Sequence, residues 1–162
     1  MHGSQTRPGL RRSSLESCRS TASTSSSTGQ VKYCWDVINE PLDDDGTWRE
    51  ALCSTSTSTT RPAQGVRTQA LVPELKAANV PLHGVGVQVH EIVGKVPPLA
   101  DVKRNLAEFA ALGVEVAITE LDVRFVALSP DEERLEQQRR DLETIVRACR
   151  EVEGCVGIMV WD

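Results

Sequence analysis

VEVAITELDV, residues 114–123, is the stretch on which the reading of this chain turns. It follows Gly113, runs apolar and β-rich, and ends in two carboxylates, Glu120 and Asp122. An apolar run without polar alternation predicts a strand buried on both faces of a parallel sheet. Acidic residues at the C-terminal end of such a strand lie where parallel α/β enzymes place their chemistry. A second stretch, VKYCWDVINEP at residues 31–41, has the same design and ends in Glu40.

Working outward, the neighbours of this strand read as helices. From Asp101 to Leu112 the residues Val102, Leu106, Phe109, Ala110 and Leu112 recur at helical spacing, and Gly113 stops the helix. After the strand, SPDE opens the last helix: Ser129 caps it, Pro130 takes the first position and Glu132 closes a capping box. This helix is expected to reach about Arg150, with Leu135, Leu142, Ile145, Val146 and Cys149 on its apolar face. Val156–Trp161 is the final strand.

Upstream, VPLHGVGVQVH at residues 80–90 predicts a turn and a strand whose glycines suit close packing around a barrel interior. Before it a short helix is expected over Pro73–Ala78, because proline inside a longer helix costs roughly 3 kcal/mol. Val31–Ile38 is the first strand, with Tyr33, Trp35 and Val37 on one face. Asp43–Gly46, DDDG, reads as a solvated turn and not as a metal site, since no spaced oxygen ligands accompany it. Residues 13–28 and the tract CSTSTSTTRPAQG from Cys53 are low-complexity segments. The first cannot bury enough apolar surface to offset its ordering entropy, so residues 1–28 are expected to be disordered. The second interrupts the domain at about residues 53–67. Strand, helix, strand, helix, strand is the repeating unit of a parallel α/β barrel.

The chain has 162 residues, a net charge of −5 and 40% hydrophobic residues, which suits a soluble globular domain. A complete barrel needs ~250 residues, so a partial one is expected. Mild acidity gives no reason to expect nucleic acid or an anionic membrane as partner. No apolar run approaches the ~20 residues of a membrane span. The N-terminus has positive charge but no apolar core, so no signal peptide is visible. Five cysteines leave one over under full pairing, and the partners of Cys18, Cys34 and Cys53 stay open.

WDVINEP, GVGVQVH, VAITELDV and GIMVWD occur in that order. Together they resemble the fourth, sixth, seventh and eighth strands of the family 10 glycoside hydrolases, the endo-1,4-β-xylanases with a (β/α)8 barrel. The match covers residues 29–162, so the expected fold is an incomplete α/β TIM barrel. The resemblance implies a retaining hydrolase that cleaves β-1,4-xylan by double displacement, with no cofactor and no metal. Such chemistry needs two carboxyl groups roughly 5–5.5 Å apart. The resemblance maps the acid/base onto Glu40 and the nucleophile onto Glu120. Asn39 corresponds to the partner of the sugar 2-hydroxyl, and His90 to the histidine that holds the nucleophile, with Asp122 behind it. Gln88 shares that strand end, and Trp161 corresponds to an aromatic wall of the sugar site. RACREVEGCVG resembles the bridged helix-to-strand corner of fungal members, which implies a Cys149–Cys155 disulfide; two unpaired buried thiols are the alternative. Glu91 stands where an apolar residue is usual.

By the same resemblance the protein is extracellular, monomeric if folded, and binds xylan or xylo-oligosaccharide. The family's first three strands, with their sugar-gripping residues, and its fifth strand have no counterpart in the sequence. The competing expectation is therefore a non-catalytic, truncated remnant that binds carbohydrate weakly at most.

Overall fold

The structure is a computed structural model that describes residues 57–58 and 62–161. The expected strand Val31–Ile38, Asn39, Glu40, the turn at Asp43–Gly46, the segment 1–28 and Cys18, Cys34 and Cys53 lie outside the described residues. In chain order the elements are β1 (Thr57–Ser58), α1 (Pro62–Ala77), β2 (Gly84–Ile92), α2 (Leu99–Ala111), β3 (Glu115–Arg124), α3 (Glu132–Arg150) and β4 (Cys155–Val160). The four strands form one parallel sheet in sequence order. This is an open fragment of the expected barrel, with strand following strand through a helix that returns over one face.

The core lies between the sheet and its helices. Val87 and Val89 of β2 and Val116, Ile118, Leu121 and Val123 of β3 are buried against Leu106 and Phe109 of α2 and Ile145 and Ala148 of α3. Two glycines make the helix-to-strand corners possible. Gly113 has φ +72° and Gly154 φ +95°, left-handed values that glycine adopts without steric cost, each between a helix and the strand that follows.

The structure corrects the expected helix at Pro73–Ala78. It begins at Pro62 and spans 16 residues, with Pro73 inside it. Leu71, Val72 and Leu75 are buried, at 6, 2 and 3% exposure. At about 1.5–3 kcal/mol for each large apolar side chain, their burial outweighs the roughly 3 kcal/mol cost of an interior proline. Lys76, in the last turn, donates to the carbonyls of Leu112 and Gly113 at 2.7 and 2.8 Å. It thereby docks α1 on α2 and places a cation at the C-terminal end of α2. The tract beginning at Cys53 also contains structure: Thr57 and Ser58 pair with Val87 and Gln88, beside β2 where a fifth strand had seemed lost.

Two further expectations are corrected at α3. Its N-cap is Asp131, whose carboxylate accepts from the Arg134 amide at 2.9 Å, so Ser129 and Pro130 precede the helix. Asp caps as well as Ser does, and this one stands two residues closer to the helix. Leu135 and Val146 are exposed, whereas Asp141, Ile145, Ala148 and Cys149 are buried. Asp141 is tolerated there because it accepts from the Gly94 amide at 2.7 Å and from Gln137 at 2.8 Å.

Cys149, at the end of α3, is bridged to Cys155, the first residue of β4, with Cα atoms 5.3 Å apart. That separation lies within the roughly 4.4–6.8 Å of ordinary disulfides. Closing so short a loop stabilises by about 2 kcal/mol in the chain-entropy account. Peptide mapping under non-reducing conditions of protein made in an oxidising compartment should find the two cysteines joined, and Cys149→Ser/Cys155→Ser should lower the unfolding free energy by about that amount. Two free thiols in the native protein would reject the bridge.

Candidate active site

The C-terminal ends of β2 and β3 carry the site. Alternation on β2 sends Val87 and Val89 into the helix-side core and leaves Gln88 and His90 on the opposite, inner face. β3 does not alternate uniformly. Val116 and Ile118 are buried on the helix side, and so are Leu121 and Val123. The pairing shows why. Val87 stands opposite Ile118, but Gln88 stands opposite Glu120, so Thr119 is an extra residue, a bulge. On the other side Ile158 pairs with Ile118 and Val160 with Leu121, which skips the same position. After the bulge, Glu120 and Asp122 point to the inner face. The expected strand without alternation is thus corrected: β3 has one helix-side apolar face and one polar, half-buried face.

Four of the sequence-predicted residues meet there. Gln88, 2% exposed, donates through Nε2 to Glu120 Oε1 at 2.9 Å. His90 Nε2 lies 3.1 Å from Glu120 Oε2, and its Nδ1 is hydrogen-bonded to Asp122 Oδ2. Each oxygen of Glu120 therefore receives its own side-chain contact, and the imidazole is clamped between two carboxylates. Partial burial opposes charge on His90. The hydrogen bond and charge of Asp122, followed by those of Glu120, outweigh it and raise the pKa above the ordinary histidine value. With both ring nitrogens facing carboxylate oxygens, the doubly protonated imidazolium is the form that satisfies the arrangement.

Trp161 follows β4, and its amide donates to the Leu121 carbonyl at 3.0 Å, which sets its backbone beside the Glu120 strand end. The residue is 56% exposed. Glu91, next to His90 in sequence, takes the helix-side parity of β2 instead. Burial first, then the charges of Asp122 and Asp141, raise its carboxyl pKa. Among the described residues no group of three or more His, Cys, Asp or Glu could hold a metal ion. Two features of this region were not read from the sequence. The bulge at Thr119 leaves only a weak trace, in that the carboxylates fall on the parity of Val116 and Ile118. Asp141 looks like any helix-surface acid.

The described residues thus form a parallel β/α fragment with a gripped glutamate at the C-terminal end of a strand. Comparison with known proteins places it further. The model of glycosyl hydrolase family 10 matches residues 57–162, and the chain belongs to that family. It is 40% identical over 161 residues to an endo-1,4-beta-xylanase of Agaricus bisporus, covering 83% of this chain and 47% of that protein. Endo-1,4-beta-xylanase A of Phanerodontia chrysosporium is also 40% identical over 161 residues, covering 83% of this chain and 38% of its own length. The chain thus spans less than half the length of these curated relatives. Among solved structures, a GH10 xylanase from Bispora sp. MEY-1 with xylobiose matches with a TM-score of 0.78 and 29% identity, over 98% of this chain and 57% of that one. A glycosylated GH10 endo-beta-1,4-xylanase from Gloeophyllum trabeum matches with a TM-score of 0.73 and 31% identity, again over 98% and 57%.

The His90 clamp makes a pH prediction. A histidine whose folded pKa is raised contributes stability that is complete below the unfolded value, about 6.5, and is lost as pH rises through the folded value. The urea midpoint of the wild-type chain should therefore fall as pH rises through that window, and His90→Asn should flatten the slope. Equal slopes for the two proteins would show that the clamp contributes no pH-dependent stability.

Proposed function

We propose that this chain carries part of the catalytic apparatus of a retaining endo-1,4-β-xylanase acting on xylan or xylo-oligosaccharide. The observation that carries this reading is Glu120 at the end of β3, held by Gln88 at 2.9 Å and His90 at 3.1 Å. A carboxylate fixed through both oxygens, with its donors on the neighbouring strand, is positioned as a nucleophile. Glu120 attacks the anomeric carbon to form a covalent glycosyl-enzyme, while Glu40 protonates the departing oxygen. Water then attacks the anomeric carbon as Glu40 takes its proton, the bond to Glu120 breaks with Glu120 leaving as a carboxylate, and the sugar is released with its configuration retained. Asn39 holds the sugar 2-hydroxyl, and Trp161 offers a flat apolar face to a pyranose ring. His90 and Asp122 keep the nucleophile oriented. No cofactor enters the scheme. Xylobiose in the Bispora structure supports the substrate class. The Cys149–Cys155 bridge supports an extracellular site of action, since disulfides persist in oxidising compartments.

A second reading applies to the 162-residue chain made alone, which we propose has no turnover. Its described sheet has four strands and is open, and the chain spans less than half the length of the two curated relatives named above. Catalysis depends on holding two carboxylates and the sugar together, and a displacement of about 1 Å can cost ~10²-fold.

Two measurements test these readings. The chain alone, assayed on xylan and an aryl xylobioside beside its Glu120→Ala variant, should show no activity dependent on Glu120; turnover that disappears with Glu120 would refute the second reading. Residues 57–162 exchanged into the matching part of the Agaricus bisporus enzyme should hydrolyse the aryl xylobioside. In that chimaera Glu120→Ala should abolish turnover, and azide should restore it as an inverted glycosyl azide. Rescue with retained configuration would remove Glu120 from the nucleophile's role.

A further inference from the structure

The direction of Glu120 is not set by β3 alone. Val116 and Ile118 fix the helix-side parity of the strand. Continued alternation would send Glu120 and Asp122 into the apolar core and leave Leu121 and Val123 on the inner face. The extra residue at Thr119 prevents this, and both neighbouring strands register it. What leaves room for that residue is on β2. A Cβ on Gly86 would lie 2.8 Å from Thr119 Cγ2 and 3.1 Å from Thr119 Oγ1. The Thr119 side chain thus fills the space above Gly86. Its hydroxyl is buried with no hydrogen-bond partner among the described residues. Packing on the glycine, and not a hydrogen bond through Oγ1, is therefore the contact that seats the bulge.

We propose that Thr119 and Gly86 form the positioning pair of this site, the bulged threonine seated on the bare glycine turning Glu120 and Asp122 toward Gln88 and His90. Neither residue touches substrate; each acts through the backbone that precedes Glu120. The consequence for catalysis rests on the reading of Glu120 as nucleophile, whereas the geometric part does not.

The test uses the full 162-residue chain and the titration of His90 followed by NMR. His90 reports the pair because Glu120 and Asp122 both contact its ring. His83, just before β2 at the opposite end of that strand, serves as an internal reference. Gly86→Ala forces Thr119 aside, so the His90 titration should move down toward that of an ordinary histidine, about 6.5, with His83 unchanged. Thr119→Ala removes the two atoms that a new Cβ would crowd and leaves only Thr119 Cβ, at an ordinary contact distance of 3.5 Å. Gly86→Ala/Thr119→Ala should therefore return His90 to its wild-type titration. An unchanged His90 in a folded Gly86→Ala variant overturns the proposal. Where Gly86→Ala alone does not fold, the double variant decides: folded with the wild-type titration it supports the pair, and folded without it, or unfolded, it overturns the pair.

In the Agaricus chimaera the same single substitution should lower kcat with little change in KM, and the double variant should recover it. Should His90 respond as described while Glu120→Ala keeps its turnover, the nucleophile assignment fails and the positioning pair stands.

Discussion

Parallel pairing of β2 with β3 is the constraint from which the other features follow. Gly84–Ile92 and Glu115–Arg124 are joined from end to end, with a single shift in register between Val87 and Gln88. Before the shift, side chains are sorted by packing, with valines and Ile118 directed to the helices. After it they are sorted by charge, because one residue more on β3 exchanges the faces of everything that follows. A slip of one residue normally transfers a whole hydrophobic set to the wrong face. Here it returns Leu121 and Val123 to the core and frees two carboxylates from it.

The polar face is sustained by donors placed opposite its carboxylates. Two carboxylates close together repel, and their burial adds to the cost. An imidazole between them supplies a donor to each, and Gln88 adds a third donor without adding charge. On the helix side, burial and the neighbouring acids Asp122 and Asp141 push the Glu91 pKa up. Asp141, more deeply buried, is quieted by the Gly94 amide and Gln137. The same residue type is thus useful, tolerated or costly according to the donors that face it.

The parallel arrangement and α2 were legible because each rests on a short, strongly patterned segment, whereas the grouping of Gln88, His90, Glu120 and Asp122 followed from the resemblance of GVGVQVH and VAITELDV to family strands. Phe109 and Leu106 fall on one helical stripe, and Gly113 follows where a left-handed residue is required. Other features depend on contacts distant in sequence. The long α1 is held by Leu71, Val72 and Leu75 despite Pro73, and a local rule about proline cannot see that burial. Asp131 displaces Ser129 as the cap because cap choice depends on where the chain enters the helix, and two capable residues stood close together. The bulge escaped notice because a run such as VEVAITELDV contains no glycine or proline to mark it. Its signature is the neighbouring strand, where Gly86 is bare.

The main apolar core and the candidate site are consequently placed on opposite sides of one sheet. The larger described core lies between the strands and α2 and α3, and a smaller cluster of Leu71, Leu75 and Val80 lies at α1. Met159 and Trp161, toward the end of the last strand, remain exposed, and β4 has no further strand beside it among the described residues. A scaffold built this way can preorganise Glu120 before any sugar-binding strand closes over it, because Gln88, His90 and Asp122 all come from the same paired segments. Preorganisation of one carboxylate is nevertheless only half of what the proposed double displacement requires. The reaction also needs a second carboxyl at a fixed separation and a sugar whose ring can be distorted with remote binding energy. Those requirements span a barrel, whereas the clamp on Glu120 is local to two strands.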